Sequence, residues 1–183
     1  PRYNGVRDFF ASRGITLPEG DPSDGPAAQT ICGLGNRKND LFNTVLARDG
    51  IRPYPGSRRW VDRLHESGMA MAVVSSSRNA AAVLKAAGMV EDFSVLVDGN
   101  RSKAERLPGK PAPDTYLRGA ELLGVPAEQC VVVEDAVSGV RAGAAGGFGM
   151  VLGVNRGVGA DRLREAGADR VVDDLDEMVE EMA

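Results

Sequence analysis

The sequence predicts an α/β fold: a parallel sheet with helices on both faces, preceded by a purely helical segment. Three observations carry this. From Tyr54 onward, short apolar runs alternate with helical patterns, the signature of βαβ units. The runs are continuous rather than alternating, as expected of strands buried on both faces. Before Tyr54 only helical spacing of apolar residues occurs. A length of 183 residues fits one domain, or one domain with a small appendage, and suffices for a full core.

The elements follow in order. Val6, Phe9 and Phe10 recur at helical spacing and stop at Gly14, and Pro18 to Pro26 reads as a loop. A second helix is expected from about Ala28 to Arg48, ended by Asp49-Gly50 because glycine is favoured just past a helix end. Tyr54-Pro55-Gly56 is a turn, and Ser57 is placed to cap a helix ending near Gly68. Strands are expected at Met69–Val74, Phe93–Val97, Cys130–Val133, Met150–Val154 and Arg170–Val172. Helices are expected at Asn79–Ala87, Asp114–Leu123, Ser138–Ala145, Asp161–Glu165 and Asp174–Met182. Right-handed crossovers should connect the strands, and a ligand should sit beyond their carboxyl ends.

Composition narrows the function. Apolar residues make up 43% and charged ones 26%, ordinary for a globular protein. Twenty-two basic against 26 acidic side chains give no electrostatic reason to expect a nucleic-acid partner. No apolar run approaches the ~18 residues of a membrane span, and no export signal opens the chain, so a cytoplasmic protein without a membrane partner is expected. Cys32 and Cys130 belong to no CxxC pair, and Cys130 opens an apolar run as a buried thiol would. The only histidine, His65, reads as part of a helix surface, leaving a multi-histidine zinc site or a Ser-His-Asp triad little to draw on.

The strand ends hold the chemistry. Val73-Val74 runs into Ser75-Ser76-Ser77-Arg78-Asn79, where hydroxyls and helix-start N–H groups suit a phosphate. Ordinary capping by Ser77 or Asn79 is the alternative. Val131-Val132-Val133 runs into Glu134-Asp135. Adjacent carboxylates at a buried strand end repel, and a hard divalent cation would relieve the cost. A solvated acidic turn is the alternative. Between them, Gly109-Lys110-Pro111-Ala112-Pro113-Asp114 presents Lys110 from a loop stiffened by proline, for a phosphate or for the carboxylates. An anion pocket, a fixed lysine and an acidic pair are together the parts of a metal-assisted phosphoryl-transfer site.

These segments resemble the haloacid dehalogenase (HAD) superfamily, in its β-phosphoglucomutase-like branch with a helical cap. Val73 to Asn79 is similar to the second motif of that family, Lys110 within Gly109–Asp114 to the third, and Val132 to Gly143 to the fourth. Tyr54-Pro55-Gly56 resembles the return from cap to core, and Arg37-Lys38-Asn39-Asp40 the cap segment that contacts a sugar phosphate. The resemblance implies a HAD-like Rossmannoid core over 53–183 and a partial helical cap over 1–52. It implies that Ser75, with Ser76 and Asn79, holds the transferring phosphoryl group, that Lys110 neutralises it, and that Glu134 and Asp135 hold Mg2+. Arg37 and Lys38 would reach the distal phosphate of the substrate; a solvated helix face is their alternative.

The family's first motif, Asp-x-Asp-Gly, is absent from these 183 residues. Its first aspartate is the nucleophile, and the second is the general acid/base. Asp174-Leu175-Asp176 lacks the glycine, and Val97-Asp98-Gly99 has one carboxylate. The expectation is therefore a chain cut within the cap at Pro1, without its first strand and inactive alone. A separate N-terminal segment would carry that strand, and the two neighbouring strands would be left apart or rearranged. The intact protein would be a Mg2+-dependent phosphotransferase on a small phosphorylated metabolite such as a hexose phosphate. A phosphatase of small phosphate esters, or a non-catalytic HAD-fold binding module, are the alternatives.

Overall fold

The computed structural model describes residues 2–181 and divides into two compact units, Pro1–Ile51 and Arg52–Ala183. In the first unit, α1 (Arg2–Ala11) packs on α2 (Ile31–Asp49). Thr30 caps α2: its Oγ1 accepts from the Gly33 N–H at 2.9 Å and donates to Asp24 at 2.6 Å. The helix therefore begins at Ile31, later than the Ala28 expected from apolar spacing. Asn36 ties the unit together, since its Oδ1 accepts from Arg2 and Tyr3 while its Nδ2 donates to the carbonyls of Pro22 and Asp24. Gly35 admits the Tyr3 ring, which would lie 2.7 Å from any Cβ there.

The second unit is the α/β core. It runs α3 (Pro55–Glu66), β1 (Ala72–Val74), α4 (Ala80–Ala86), β2 (Val95–Val97), α5 (Gly99–Ala104), α6 (Asp114–Leu123) and a 3-10 turn (Ala127–Gln129). It continues with β3 (Val131–Glu134), α7 (Val137–Ala145), β4 (Met150–Val154), α8 (Ala160–Glu165), β5 (Arg170–Val172) and α9 (Asp176–Glu181). Met182, expected to end the last helix, lies outside the described residues. Helix α3 starts ahead of the expected Ser57 cap, because Pro55 fills its first position with a preset φ and no N–H to lose.

All strand pairs are parallel, but they form two sheets, β1-β2 and β3-β4-β5. Side chains of the larger sheet alternate between two cores. Val132 and Val151 join Tyr116, Val140, Ala142 and Leu163, so this face carries α6, α7 and α8. Leu152, Val154 and Val172 join Leu175, Trp60 and Met178, so the other face carries α3 and α9. The core thus has helices on both faces of its sheet. Strand β1 departs from expectation: all three of its residues are half-buried rather than enclosed on both faces. Val74 nevertheless packs against the cluster of Val132 and Tyr116, so both sheets share one core. Cys130 is half-buried rather than buried, and both cysteines are free thiols.

Candidate active site

Lys110 bonds to one strand end of each sheet. Its ammonium donates to the Val74 carbonyl, at the carboxyl end of β1, at 3.4 Å. It also forms an ion pair with Glu134, at the carboxyl end of β3, with both side chains nearly buried. The loop that presents it carries a cis Lys110–Pro111 peptide. The Tyr116 ring lies 4.4 Å from the ammonium, and its edge meets Phe148 at 6.0 Å between ring centres. Its hydroxyl donates to Glu134 Oε1 at 2.7 Å.

Glu134 is held on every side. Oε1 accepts from Lys110 and Tyr116, while Oε2 accepts the backbone N–H groups of Asp135 and Ala136, each at 3.1 Å. A Cβ at Gly139 would land on this carboxylate, so only glycine lets α7 start so close. Burial opposes the Glu134 charge, but the Lys110 charge and the hydrogen bonds from Lys110, Tyr116 and Ala136 outweigh it and hold the carboxyl below the usual range. Burial first, and then the Glu134 charge, push the Tyr116 phenol well up. Asp135 is exposed, and it lines a cleft of about 260 Å³ with Tyr54, Val133, Glu134, Val154 and Arg156.

The serine segment makes local turns. Ser75 Oγ accepts from the Ser77 N–H at 3.2 Å, and Ser77 Oγ from the Asn79 N–H at 3.1 Å. Both hydroxyls keep their own protons to donate to an anion. Ser76 is exposed and Asn79 half-buried, and α4 begins at Ala80 without a side-chain cap, so the expected capping by Ser77 or Asn79 is not made; Ser77 closes a local turn ahead of the helix instead. In the first unit, Arg37 and Lys38 are exposed on α2, whereas Asn39 of the same segment accepts from Arg2 at 2.7 Å. The acidic sequences considered as displaced first motifs have other duties. Asp98 caps α5 by accepting from Asn100 and Arg101, Asp174 pairs with Arg156, and Asp176 pairs with Arg59.

Glu134 and Asp135 have the hard-oxygen chemistry of a Mg2+ site, but as they stand they do not fit one. An ionised carboxylate offers about four lone-pair positions, and all four on Glu134 are taken. Asp135 is the open carboxylate, and among the described residues no group of three or more His, Cys, Asp or Glu could hold a metal ion. Tyr116 is the residue that sequence reasoning missed. It follows Pro113-Asp114-Thr115 at the start of α6, where it reads as a core aromatic, and only the fold turns its hydroxyl to the strand ends.

A parallel α/β core with a lysine and paired carboxylates at its strand ends has the layout of a ligand site beyond the carboxyl ends of the strands. Comparison with known proteins narrows this. Residues 2–147 match the family model for haloacid dehalogenase-like hydrolases, and the chain belongs to that family, in its β-phosphoglucomutase-like branch. It is 48% identical over 181 residues to a β-phosphoglucomutase of Mycobacterium bovis, covering 97% of this chain and 69% of that protein. It is 39% identical over 132 residues to hexitol phosphatase A of Escherichia coli, covering 71% of this chain and 57% of that one. The solved structure of β-phosphoglucomutase from Clostridium difficile superposes with a TM-score of 0.75 at 21% identity, covering 98% of this chain and 75% of that one, a likeness of fold.

Proposed function

We propose that this chain supplies the core and part of the cap of a Mg2+-dependent phosphotransferase acting on a small sugar phosphate. The observation that carries the reading is Lys110, bonded at once to the end of β1 and to the end of β3. A cation fixed between two strand ends, with hydroxyls at one and carboxylates at the other, is preorganised for a transferring phosphoryl group. In this reading Ser75, helped by Ser76 and Asn79, donates hydrogen bonds to phosphoryl oxygens, and Lys110 neutralises their charge. Asp135 is the carboxylate left open for the metal side, which the Asp-x-Asp segment would have to complete, since Glu134 is saturated where it stands. Mg2+ supplies charge neutralisation when bound. Arg37 and Lys38 take the distal phosphate of the substrate.

The nucleophile belongs, on this proposal, to an Asp-x-Asp segment supplied as a strand between β1 and β3, the two strands that are not paired to each other. An aspartyl phosphate would form there and pass its phosphoryl group to a sugar hydroxyl. The mycobacterial relative favours mutase chemistry, and the hexitol phosphatase relative favours hydrolysis as a second reading.

The test compares conversion of β-glucose 1-phosphate into its isomer with release of inorganic phosphate, using the chain joined to an Asp-x-Asp strand segment. Isomer formation that Lys110→Ala lowers at least a hundredfold is the expected result. Phosphate release alone removes the mutase reading. Neither product, with phosphate esters still bound, points to a binding module. The 183 residues by themselves should turn over no phosphate ester, and Mg2+-dependent turnover abolished by Lys110→Ala would refute a separately supplied nucleophile.

A further inference from the structure

We propose that Tyr116 is a positioning residue for Lys110. Its ring carries the ammonium and its hydroxyl shares the Glu134 oxygen, so the lysine stays bridged to Val74 with one N–H left for a phosphoryl oxygen. The inference deepens the reading above and rests on its phosphate side alone. Tyr116 is 7% exposed and packs in the cluster of Val132, Val140 and Leu163, with its edge on Phe148, so ring and hydroxyl both have a set direction. The ring centre lies 4.4 Å from the Lys110 nitrogen, within reach of a cation–π attraction that draws on the charge rather than on one N–H. The hydroxyl donates to Glu134 Oε1 at 2.7 Å, the oxygen that also takes the ammonium.

An ammonium has three N–H groups. Among the described residues two of them have acceptors, the Glu134 carboxylate and the Val74 carbonyl at 3.4 Å. These partners are unequal: an ionised carboxylate pulls harder than a neutral carbonyl, so the long bond to Val74 is the one that yields. Glu134 cannot step aside, because Oε2 accepts the Asp135 and Ala136 N–H groups and Gly139 lies against the carboxylate. Two features of Tyr116 temper the pull. The hydroxyl takes up part of Oε1, and the ring attracts the ammonium from another side. Without the hydroxyl, the ammonium would settle further onto Glu134 and leave the end of β1, where Ser75 follows Val74.

Tyr116→Phe keeps the ring and removes the hydroxyl. In the parent chain, ring current should shift the Lys110 methylene protons beside the nitrogen upfield, and in the variant that shift should fall by roughly half or more. An unchanged shift overturns the proposal. Inorganic phosphate, titrated at low ionic strength and followed by nuclear magnetic resonance, should bind the variant about fivefold more weakly, the scale of one hydrogen bond. A merely structural Tyr116 predicts a lower melting temperature with unchanged phosphate affinity, and that result overturns the proposal too. A further check needs no variant: in the parent chain the nuclear Overhauser contact between Lys110 and the Tyr116 ring should persist at phosphate saturation, and its loss overturns the proposal. Lys110→Ala separates the two levels. If it leaves phosphate affinity unchanged, or if the parent chain binds no phosphate, the phosphate side of the proposed function fails and the ring-current shift alone decides Tyr116. If Lys110→Ala weakens binding about tenfold, the scale of a hydrogen bond to a charged group, while Tyr116→Phe binds as the parent does, only the role of Tyr116 fails.

Discussion

Asp174 anchors the beginning of α3 through several contacts at once. Its Oδ2 accepts from Arg156 Nη1 at 2.9 Å, and its Oδ1 accepts the Asp176 N–H at 3.1 Å. Arg156 in turn donates to Ser57 Oγ at 3.1 Å and stacks 3.8 Å over the Tyr54 ring. A Cβ at Gly56 would fall on the Asp174 carboxylate, so the glycine of Tyr54-Pro55-Gly56 is required by this approach. The Asp176 N–H bond foremost, with Arg156 and Arg59 assisting against burial, holds the Asp174 carboxyl below its ordinary range. A depressed value stabilises the fold above the unfolded-chain pKa of about 3.9 and loses that contribution as pH falls through the folded value. Because Asp174 is 38% exposed, solvent screens the pair, and its share is under ~1 kcal/mol. Asp174→Asn should therefore lower the melting temperature at pH 7 by about 2 °C. The gap between variant and parent should close as pH falls below about 4. A gap that persists at pH 2.5 would mean that packing, not charge, carries the anchor.

At the scale of elements, the sequence disclosed most of the core. Strands β4 and β5 and helix α6 lie where apolar runs and the stopping Gly124 put them. What stayed hidden has physical causes. Helix α5 depends on Asp98, buried just past the end of β2, accepting from Asn100 and Arg101, a cap that reads in sequence as a stray acidic residue. Strand β1 is shorter than its apolar run because pairing with β2 spans only Ala72 to Val74. The site was legible as three segments, and their union through Lys110 is a property of the fold. Glu134 read as an available ligand, since sequence carries no trace of the Tyr116 hydroxyl or the two N–H groups that saturate it.

The division into two sheets has a measurable consequence. In a parallel strand, successive residues turn their backbone groups to opposite edges. Ser75 donates its N–H to Val97, which assigns Val73 and Ser75 to the β2 side and turns Ala72 and Val74 toward the other edge. The Val74 carbonyl accordingly accepts from Lys110. Amide hydrogen exchange should be slow at Val73 and Ser75 and at least tenfold faster at Val74. Addition of an Asp-x-Asp strand segment that pairs with β1 should bring Val74 to the level of Val73. Equal protection at both amides in the chain alone would show that the edge is already covered.

At the scale of the whole molecule, the two units differ in what they can bury. Of the buried apolar residues, the first unit holds Val6, Ile31 and Cys32, while Leu152, Leu163, Val97 and Val140 make the enclosed centre of the second. Phe9, Leu41, Phe42, Val45 and Ile51 all stay exposed in the first unit, with Leu41 at 58%. Two helices joined by a loop gain little apolar burial to offset chain ordering, and a helix as short as α1, with 10 residues, is marginal in water on its own. Polar ties such as Asn36 and Thr30 specify the arrangement but add about 1 kcal/mol each at most after exchange with water. Residues 1–51 produced alone should therefore show weak helicity by circular dichroism and melt without a cooperative transition. Residues 52–183 should unfold cooperatively, because both cores, both sheets and the Lys110–Glu134 pair lie within them. A cooperative melt of the shorter piece, or a molten longer one, would move the seat of stability away from the α/β core.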